Sequence, residues 1–206
     1  MKITSKPGNG NKMHIYIDGE YTLTLYDDYW HTSGYSEGQE ISEEELASLK
    51  EEAGFRSAYE KGIQYLSMRA YSEKELFNKL KLKYGADASQ RAIDKMSYYG
   101  YIDDESFCRQ YARHLFDVKK YDLKSISYEL RQKGVDAEII DKTLETLDNE
   151  PIKRIIDMLG SKYSKMTDSP KEIKRLFNRF IRMGYSFRDI RSAFEEAGIE
   201  LPPMHD

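Results

Sequence analysis

Residues 65–85, YLSMRAYSEKELFNKLKLKYG, decide how the chain is read. They give the end of one helix, a tight turn and a complete second helix. Ser72 stands at an N-cap position with Glu75 three residues on, the spacing of a capping box. Leu76, Leu80 and Tyr84 recur at i, i+4 and i+8 and form one apolar stripe, with Lys79, Lys81 and Lys83 mostly off it. Gly85 supplies the left-handed residue that closes such a helix.

The design recurs along the chain. Gly85, Gly134 and Gly184 each end a helical pattern, at spacings of 49 and 50 residues. A short apolar helix follows each of the last two, with Ile140 and Leu144, then Ile190 and Phe194, at 6 and 10 residues beyond the glycine. After Gly85 the corresponding Ile93 and Met96 are displaced, which reads as a longer loop. The spacing predicts helices over 55–68, 72–84 and 88–98, then 104–118, 122–133 and 136–147, then 151–163, 169–182 and 186–197. Pro151, and Ser169-Pro170-x-Glu172 as a capping box with proline at N1, support the third group. A period near 50 residues reads as tandem three-helix repeats over 55–100, 101–149 and 150–200, each covering its neighbour's apolar face. Leu201-Pro202-Pro203 ends the last helix and leaves a short tail over 201–206.

Residues 1–54 read as an extension. The stretch 1–12, MKITSKPGNGNK, is expected to be poorly ordered. From Met13 to Tyr26 the pattern alternates around Asp18-Gly19, a hairpin signal. A two-residue turn places Ile17 opposite Glu20. A three-residue loop, Asp18 to Glu20, instead aligns Ile17 with Tyr21, Ile15 with Leu23 and Met13 with Leu25, and the pattern favours it. Asp27 to Glu40 reads as a loop or short third strand. Ser42 and Glu45 make a capping box that opens an acidic helix to about Glu52, with Gly54 as its break. Two strands are unstable alone, so the hairpin must find a third strand, the helices or a second copy. The fold class is therefore mainly α, with a small N-terminal β-hairpin extension.

Only 39% of the 206 residues are hydrophobic and 33% are charged, so most helices should be half exposed. No apolar run approaches the roughly 20 residues that span a bilayer, and the N-terminal stretch has no signal-peptide core. With a single cysteine and therefore no internal disulfide framework, a cytosolic protein is expected. The net charge of −4 conceals an uneven distribution. Residues 18–60 hold twelve acids and two bases, whereas 169–191 hold seven bases and two acids.

No catalytic or metal-binding constellation is legible, and no cofactor is expected. His14, His31, His114 and His205 are scattered, and Gly8-Asn9-Gly10 lacks the ending of a phosphate loop. Cys108 lies beside the stripe Phe107, Tyr111 and Leu115 and reads as a small core residue. Asp103, Asp104 and Glu105 open a helix, where acids favour the dipole. The basic residues are the better lead. Arg69, Lys79, Lys83, Lys119, Lys120, Lys124, Arg131 and Lys133 cluster on the middle helices and their preceding turns. Arg175, Arg179 and Arg182 recur at i, i+4 and i+7 in the third repeat. Such faces suit nucleic acid or an acidic protein surface, and periodicity does not choose between them.

The run Tyr65-Leu66-x-x-Arg69-x-Tyr71-Ser72-x-x-Glu75-Leu76-x-x-Lys79-Leu80-x-x-Lys83 resembles the signature of the RecX regulatory family. Gly100-Tyr101-Ile102-Asp103-Asp104-x-x-Phe107 and Leu130-Arg131-x-Lys133-Gly134 resemble it too, in the right order. The likeness covers about 55–147 well and 148–197 more loosely. Tyr121 stands where many members have glycine, and Cys108 where alanine is usual. The resemblance implies tandem three-helix repeats in an elongated, curved body. It also implies a bacterial cytoplasmic protein, expected as a monomer, that binds RecA and its filament on single-stranded DNA. Such a protein lies along the filament groove and restrains recombinase, ATPase and co-protease activity, with weak direct DNA binding and no chemistry of its own. The competing readings are a helical DNA-binding module and a scaffold for another protein. Deleting residues 1–54 is the expected discriminator between scaffold and repeat-based inhibitor.

Overall fold

The structure, a computed structural model, describes residues 1–167 and 169–202. Pro203 to Asp206, with most of the expected tail and His205, lie outside the described residues, as does Asp168. The chain divides into two compact units, Met1–Asp103 and a second from Asp104 onward.

The first unit begins with an antiparallel sheet in the order β1 (Ile3–Pro7), β2 (Lys12–Ile17) and β3 (Glu20–Tyr26). The stretch expected to be poorly ordered thus supplies the third strand, pairing Ile3 with Ile17 and Ser5 with Ile15. The hairpin turn is the two-residue form: Asp18 and Gly19 have φ of 50° and 88°, and Ile17 pairs with Glu20. The apolar register expected of a longer loop is nevertheless met further along, with Ile15 on Leu23 and Met13 on Leu25. A bulge reconciles the two, since Tyr16 pairs with Tyr21 and Ile15 with Leu23, leaving Thr22 as the extra residue. Asp27 to Glu40 is neither a plain loop nor a strand. It opens with α1 (Asp27–Thr32), which buries Trp30, and then returns along the outer edge of β1. There Ile3 N donates to Gln39 O at 2.9 Å and Ile41 N to Met1 O at 2.8 Å, so that edge is covered.

Helix α2 (Glu43–Met68) is one uninterrupted 26-residue element, and the expected break at Gly54 does not occur. Ser42 and Glu45 form the expected capping box, with bonds of 2.7 and 3.1 Å. Gly54 and Gly62 are sites of close approach rather than punctuation. A Cβ at Gly62 would sit 2.6 Å from Met96 Cε, and one at Gly54 3.4 Å from the Ala88 methyl. Both let the helix that carries Ala88 and Met96 lie close against α2. Leu49 and Ala53 join the sheet core with Ile3, Ile15 and Leu25, while Ala58 joins the next core with Leu76, Leu80, Ile93 and Met96. Helix α3 (Glu73–Tyr84) ends at Gly85, and α4 (Ala86–Tyr98) starts at once. The displacement of Ile93 and Met96 therefore comes from an earlier helix start, not a longer loop.

The second unit continues with α5 (Asp104–His114), extended by a π-helical turn at Leu115–Lys119, then α6 (Leu123–Gln132) and α7 (Ala137–Glu145). A third trio follows: α8 (Pro151–Gly160), α9 (Pro170–Arg182) and α10 (Phe187–Glu196). Helices α6 and α9 end alike. Val135 N reaches back to Leu130 O and Tyr185 N to Phe180 O, across Gly134 and Gly184 at φ of 82° and 98°. The two trios have separate cores that share Tyr121 at their margin. Their joint is polar as well. Asp122 N donates to Met183 O at 2.8 Å, and Tyr185 Oη donates to Lys120 O at 2.9 Å.

Candidate functional site

Each middle helix is set by a capping side chain and a buried pair. Ser72 Oγ accepts from Glu75 N at 3.2 Å, the Asp122 carboxylate from Lys124 N at 3.2 Å, and Ser169 Oγ from Glu172 N at 3.4 Å. The fully buried pairs are Leu76 with Leu80, Ile126 with Leu130, and Leu176 with Phe180, each pair 50 residues after the last. The packing period is thus more regular than the glycine spacing, because α3 runs slightly further past its buried pair. Aligned on these pairs, LFNKL at 76–80 meets LFNRF at 176–180.

The same alignment sorts the cations. Lys74, Lys124 and Lys174 occupy one position in all three repeats, and all are exposed. Lys79 and Arg179 share another position, and Lys81 and Arg131 a third. Counted back from the terminal glycines, Lys124 and Lys174 both stand at 10 residues but Lys74 at 11, and alignment on the buried apolar pairs brings all three together. Their placement has electrostatic meaning. Arg131, Lys83, Arg179 and Arg182 lie in last turns, where a cation complements the helix dipole and needs no partner to explain it. Lys74 and Lys124 lie in first turns, where the dipole disfavours a cation by roughly 0.3–1 kcal/mol.

Two candidates are already engaged. Arg69 follows α2 and closes the turn into α3. Its guanidinium donates to both oxygens of Glu75 at 2.9 and 3.2 Å and to Ala70 O at 2.8 Å, and lies 3.6 Å over the Tyr71 ring. The Glu75 hydrogen bonds raise its pKa above the ordinary value against the opposing effect of burial. Lys133 is half-buried, with Nζ 5.8 Å from the Tyr111 ring centre. Lys79 is exposed but leans over Tyr65 at 4.8 Å, and Lys83 over Tyr84 at 5.3 Å. Lys119, Lys120 and Lys124 bracket the turn between α5 and α6, with Lys120 held at φ of 61°. Arg175, Arg179 and Arg182 line the solvent face of α9, and the Arg179 guanidinium sits 5.1 Å from the Tyr163 ring. Among the described residues, no carboxylate lies within ion-pair distance of Lys74, Lys79, Lys83, Lys119, Lys120, Lys124, Arg131, Lys174, Arg175, Arg179 or Arg182.

Other residues singled out in the sequence fall into structural roles. Cys108 is fully buried, and burial pushes its thiol pKa up. Asp104 and Glu105 occupy the first turn of α5. Among the described residues no three His, Cys, Asp or Glu side chains gather as they would around a metal, and no helix is long and apolar enough to cross a membrane.

The family profiles described as the first and second three-helix domains of RecX match residues 58–96 and 103–144. The chain is 29% identical over 189 residues to the regulatory protein RecX of Caldanaerobacter subterraneus subsp. tengcongensis, covering 91% of this chain and 94% of that one. It is 31% identical over 179 residues to the regulatory protein RecX of Lactobacillus johnsonii, covering 84% and 65%. A crystal structure of a regulatory protein RecX superposes with a TM-score of 0.65 at 20% identity, covering 97% of this chain and 98% of the other, a likeness of fold.

Proposed function

Because this chain belongs to the RecX family of regulatory proteins, we propose that it binds RecA and its filament on single-stranded DNA, lies along the filament groove and restrains recombinase, ATPase and co-protease activity. The supporting observation is the exposed lysine at the same place in every repeat, Lys74, Lys124 and Lys174. A filament offers identical acidic and phosphate-bearing surfaces at regular intervals. Equivalent cations on successive repeats can engage successive sites, so that contacts weak singly become strong together. Bridging of neighbouring subunits opposes their rearrangement, addition and loss. Arg131, Arg175, Arg179 and Arg182 add charge around the repeated position, while Arg69 and Lys133 shape the helices that carry it. The reading assigns the protein no chemistry of its own.

The test is RecA ATPase and strand exchange on single-stranded DNA with titrated protein and a salt series. Reversing Lys74, Lys124 and Lys174 together to glutamate should raise the dose needed for inhibition while leaving far-UV circular dichroism unchanged. Unaltered inhibition by the triple variant would refute the role given to these lysines. Tight, steeply salt-dependent duplex binding without RecA would instead favour the DNA-binding module.

A further inference from the structure

We propose that the solvent-facing side of the N-terminal sheet binds an unpaired polynucleotide strand, its bases stacking on Tyr21 and Tyr16 and its phosphates meeting Lys6 and Lys12. This site belongs to the N-terminal extension, not to the repeats, and does not depend on the function proposed for them.

The inner face of the sheet is spent on the core through Ile3, Ile15, Ile17, Leu23 and Leu25, all buried. Strand alternation sends the intervening residues outward. From β1 these are Thr4 and Lys6; from β2, Lys12, His14 and Tyr16. From β3 they are Tyr21, Thr24 and Tyr26. None of these outward residues is aliphatic and none is acidic. Tyr21 is there because the hairpin turn is the two-residue form at Asp18-Gly19. In a regular ladder from a three-residue loop it would oppose Ile17 and face the core; in the structure it opposes Tyr16. The bulge at Thr22 then returns Leu23 and Leu25 to the core face, opposite Ile15 and Met13.

The rings are held in place before any ligand arrives. Tyr21 meets His14 and Tyr16 edge-on, with ring centres 5.8 and 6.0 Å apart and interplanar angles of 76° in both cases. Its hydroxyl lies 3.0 Å from Thr24 Oγ1, which in turn lies 2.8 Å from His14 Nδ1. Tyr21 is nevertheless 59% exposed, so most of the residue is open to solvent. Lys6 Nζ sits 4.8 Å from the Tyr16 ring centre and Lys12 Nζ 5.8 Å from that of Tyr26. A cleft of about 370 Å³ beside them, lined by Asn9, Lys12, His14, Thr24, Tyr26 and Ser57, has room for a base.

Local charge points the same way. Residues 1–17 contain Lys2, Lys6 and Lys12 and no acid, in contrast to the acidic stretch that follows. Protein-docking patches centre on desolvated apolar side chains ringed by polar ones. Here each outer ring is flanked by a cation or hydroxyl, and no aliphatic centre exists. Exposed rings beside lysines on a sheet are what an unpaired strand requires, because every base has a π-face and every link a phosphate.

The test uses the full chain without recombinase and follows anisotropy of labelled oligo(dT), oligo(U) and a duplex. Tyr21→Ala should weaken single-strand binding roughly 5- to 150-fold, the value of one stacked base, and Tyr21→Phe should restore it. Duplex affinity should not change with either variant. Reversing Lys6 and Lys12 should lower the slope of log K against log salt by about 1.4. In Tyr21→Trp, added strand should quench the new indole, since the other one, Trp30, is buried. Whichever of oligo(dT) and oligo(U) binds more tightly, and loses that affinity in Tyr21→Ala, identifies the strand. Wild-type affinity in both Tyr21→Ala and Tyr16→Ala would overturn the proposal. So would equal losses on single strand and duplex, or a loss of response to recombinase with oligonucleotide binding intact, which would assign the face to a protein.

Discussion

Replacing Arg154 should loosen the joint between the second and third repeats, and its contacts allow the size of the effect to be argued. The Arg154 guanidinium lies 3.4 Å over the Phe116 ring, and its Nη2 donates to Phe116 O at 2.8 Å and Tyr121 O at 3.3 Å. Against this, Nη1 is buried and, among the described residues, has no hydrogen-bond partner. Burial also pulls the arginine pKa below its ordinary value. Arg154→Met keeps a flexible stem over Phe116 and removes only the charged head. It forfeits hydrogen bonds from a charged donor worth about 1.5–3 kcal/mol and a ring contact worth about 0.5–2 kcal/mol. It regains about 1–3 kcal/mol by no longer burying an unpaired N–H. The bonds and the stack outweigh the orphan, leaving a net loss of about 1–2 kcal/mol. Arg154→Ala also removes the stem and should lose about 2–3 kcal/mol. In urea followed by far-UV circular dichroism, a slope near 2 kcal/mol/M makes these midpoint drops of about 0.5–1 M and 1–1.5 M. A methionine variant as stable as the parent, or more so, would refute the reasoning: the desolvated charge would then be the larger quantity and the clasp no net contributor.

Gly184→Ala should destabilise more than Gly85→Ala, although both glycines have positive φ. A Cβ at Gly184 collides with the Ser125 side chain and comes 3.0 Å from Ser125 N, whereas at Gly85 it meets nothing within 4 Å. The Gly85 variant, at φ 81° and ψ 172°, should lose about 1–3 kcal/mol from backbone strain, and the Gly184 variant more than that, in thermal melts. Tyr185 gives an alkaline signature, since burial pushes its pKa up from 10.0 to about 12. The folded state resists ionisation that the unfolded chain accepts, so stability is intact below pH 10 and falls by about 1.4 kcal/mol per unit as pH rises toward 12. Tyr185→Phe should flatten that part of the curve in denaturation at a series of pH values. Reversing Arg131 to glutamate should weaken filament inhibition with only the small fall in melting temperature that an acid in a last helical turn costs. The same change at half-buried Lys133 should lower both, and a selective effect of Lys133 on inhibition alone would contradict its placement beside Tyr111.

The helices were legible wherever a cap, an apolar stripe and a glycine coincided. Ser72 with Leu76 and Leu80, and Ser169-Pro170 with Leu176 and Phe180, each fix a start and a buried face within a dozen residues. Gly54 misled because a glycine inside a helix has the same local chemistry whether it ends the helix or admits a neighbour. Only the presence of Ala88 at 3.4 Å from its notional Cβ distinguishes the two. The first strand was illegible for a related reason. ITSKP has one strongly apolar residue, Ile3, and owes its conformation to pairing with Ile15 and Ile17 and to the returning segment around Gln39. The hairpin posed a conflict between turn chemistry and apolar register. The molecule satisfies both by adding a residue, a solution that neither criterion contains alone. Among the basic residues, charge and exposure could be read from the sequence, but engagement could not. Nothing local marks Arg69 as the partner of Glu75 or Lys133 as a neighbour of Tyr111.

The continuity of α2 changes how the extension and the array can be separated. Its Leu49 and Ala53 complete the sheet core, and its Ala58 completes the core of the first repeat, on the same 26-residue helix. Removing residues 1–54 would therefore cut the helix between the two cores. The remaining stub would lose its N-terminal capping box, and Phe55, packed at the margin of the repeat core, would become the first residue. Lost activity after such a cut would report a damaged first repeat as readily as a missing docking surface. Substitutions on the outer side of the sheet avoid this ambiguity, because Tyr16, Tyr21, Lys6 and Lys12 contribute nothing to either core. A double reversal of Lys6 and Lys12 beside the triple reversal of Lys74, Lys124 and Lys174 thus asks separately what the sheet and the repeats do, in one intact chain.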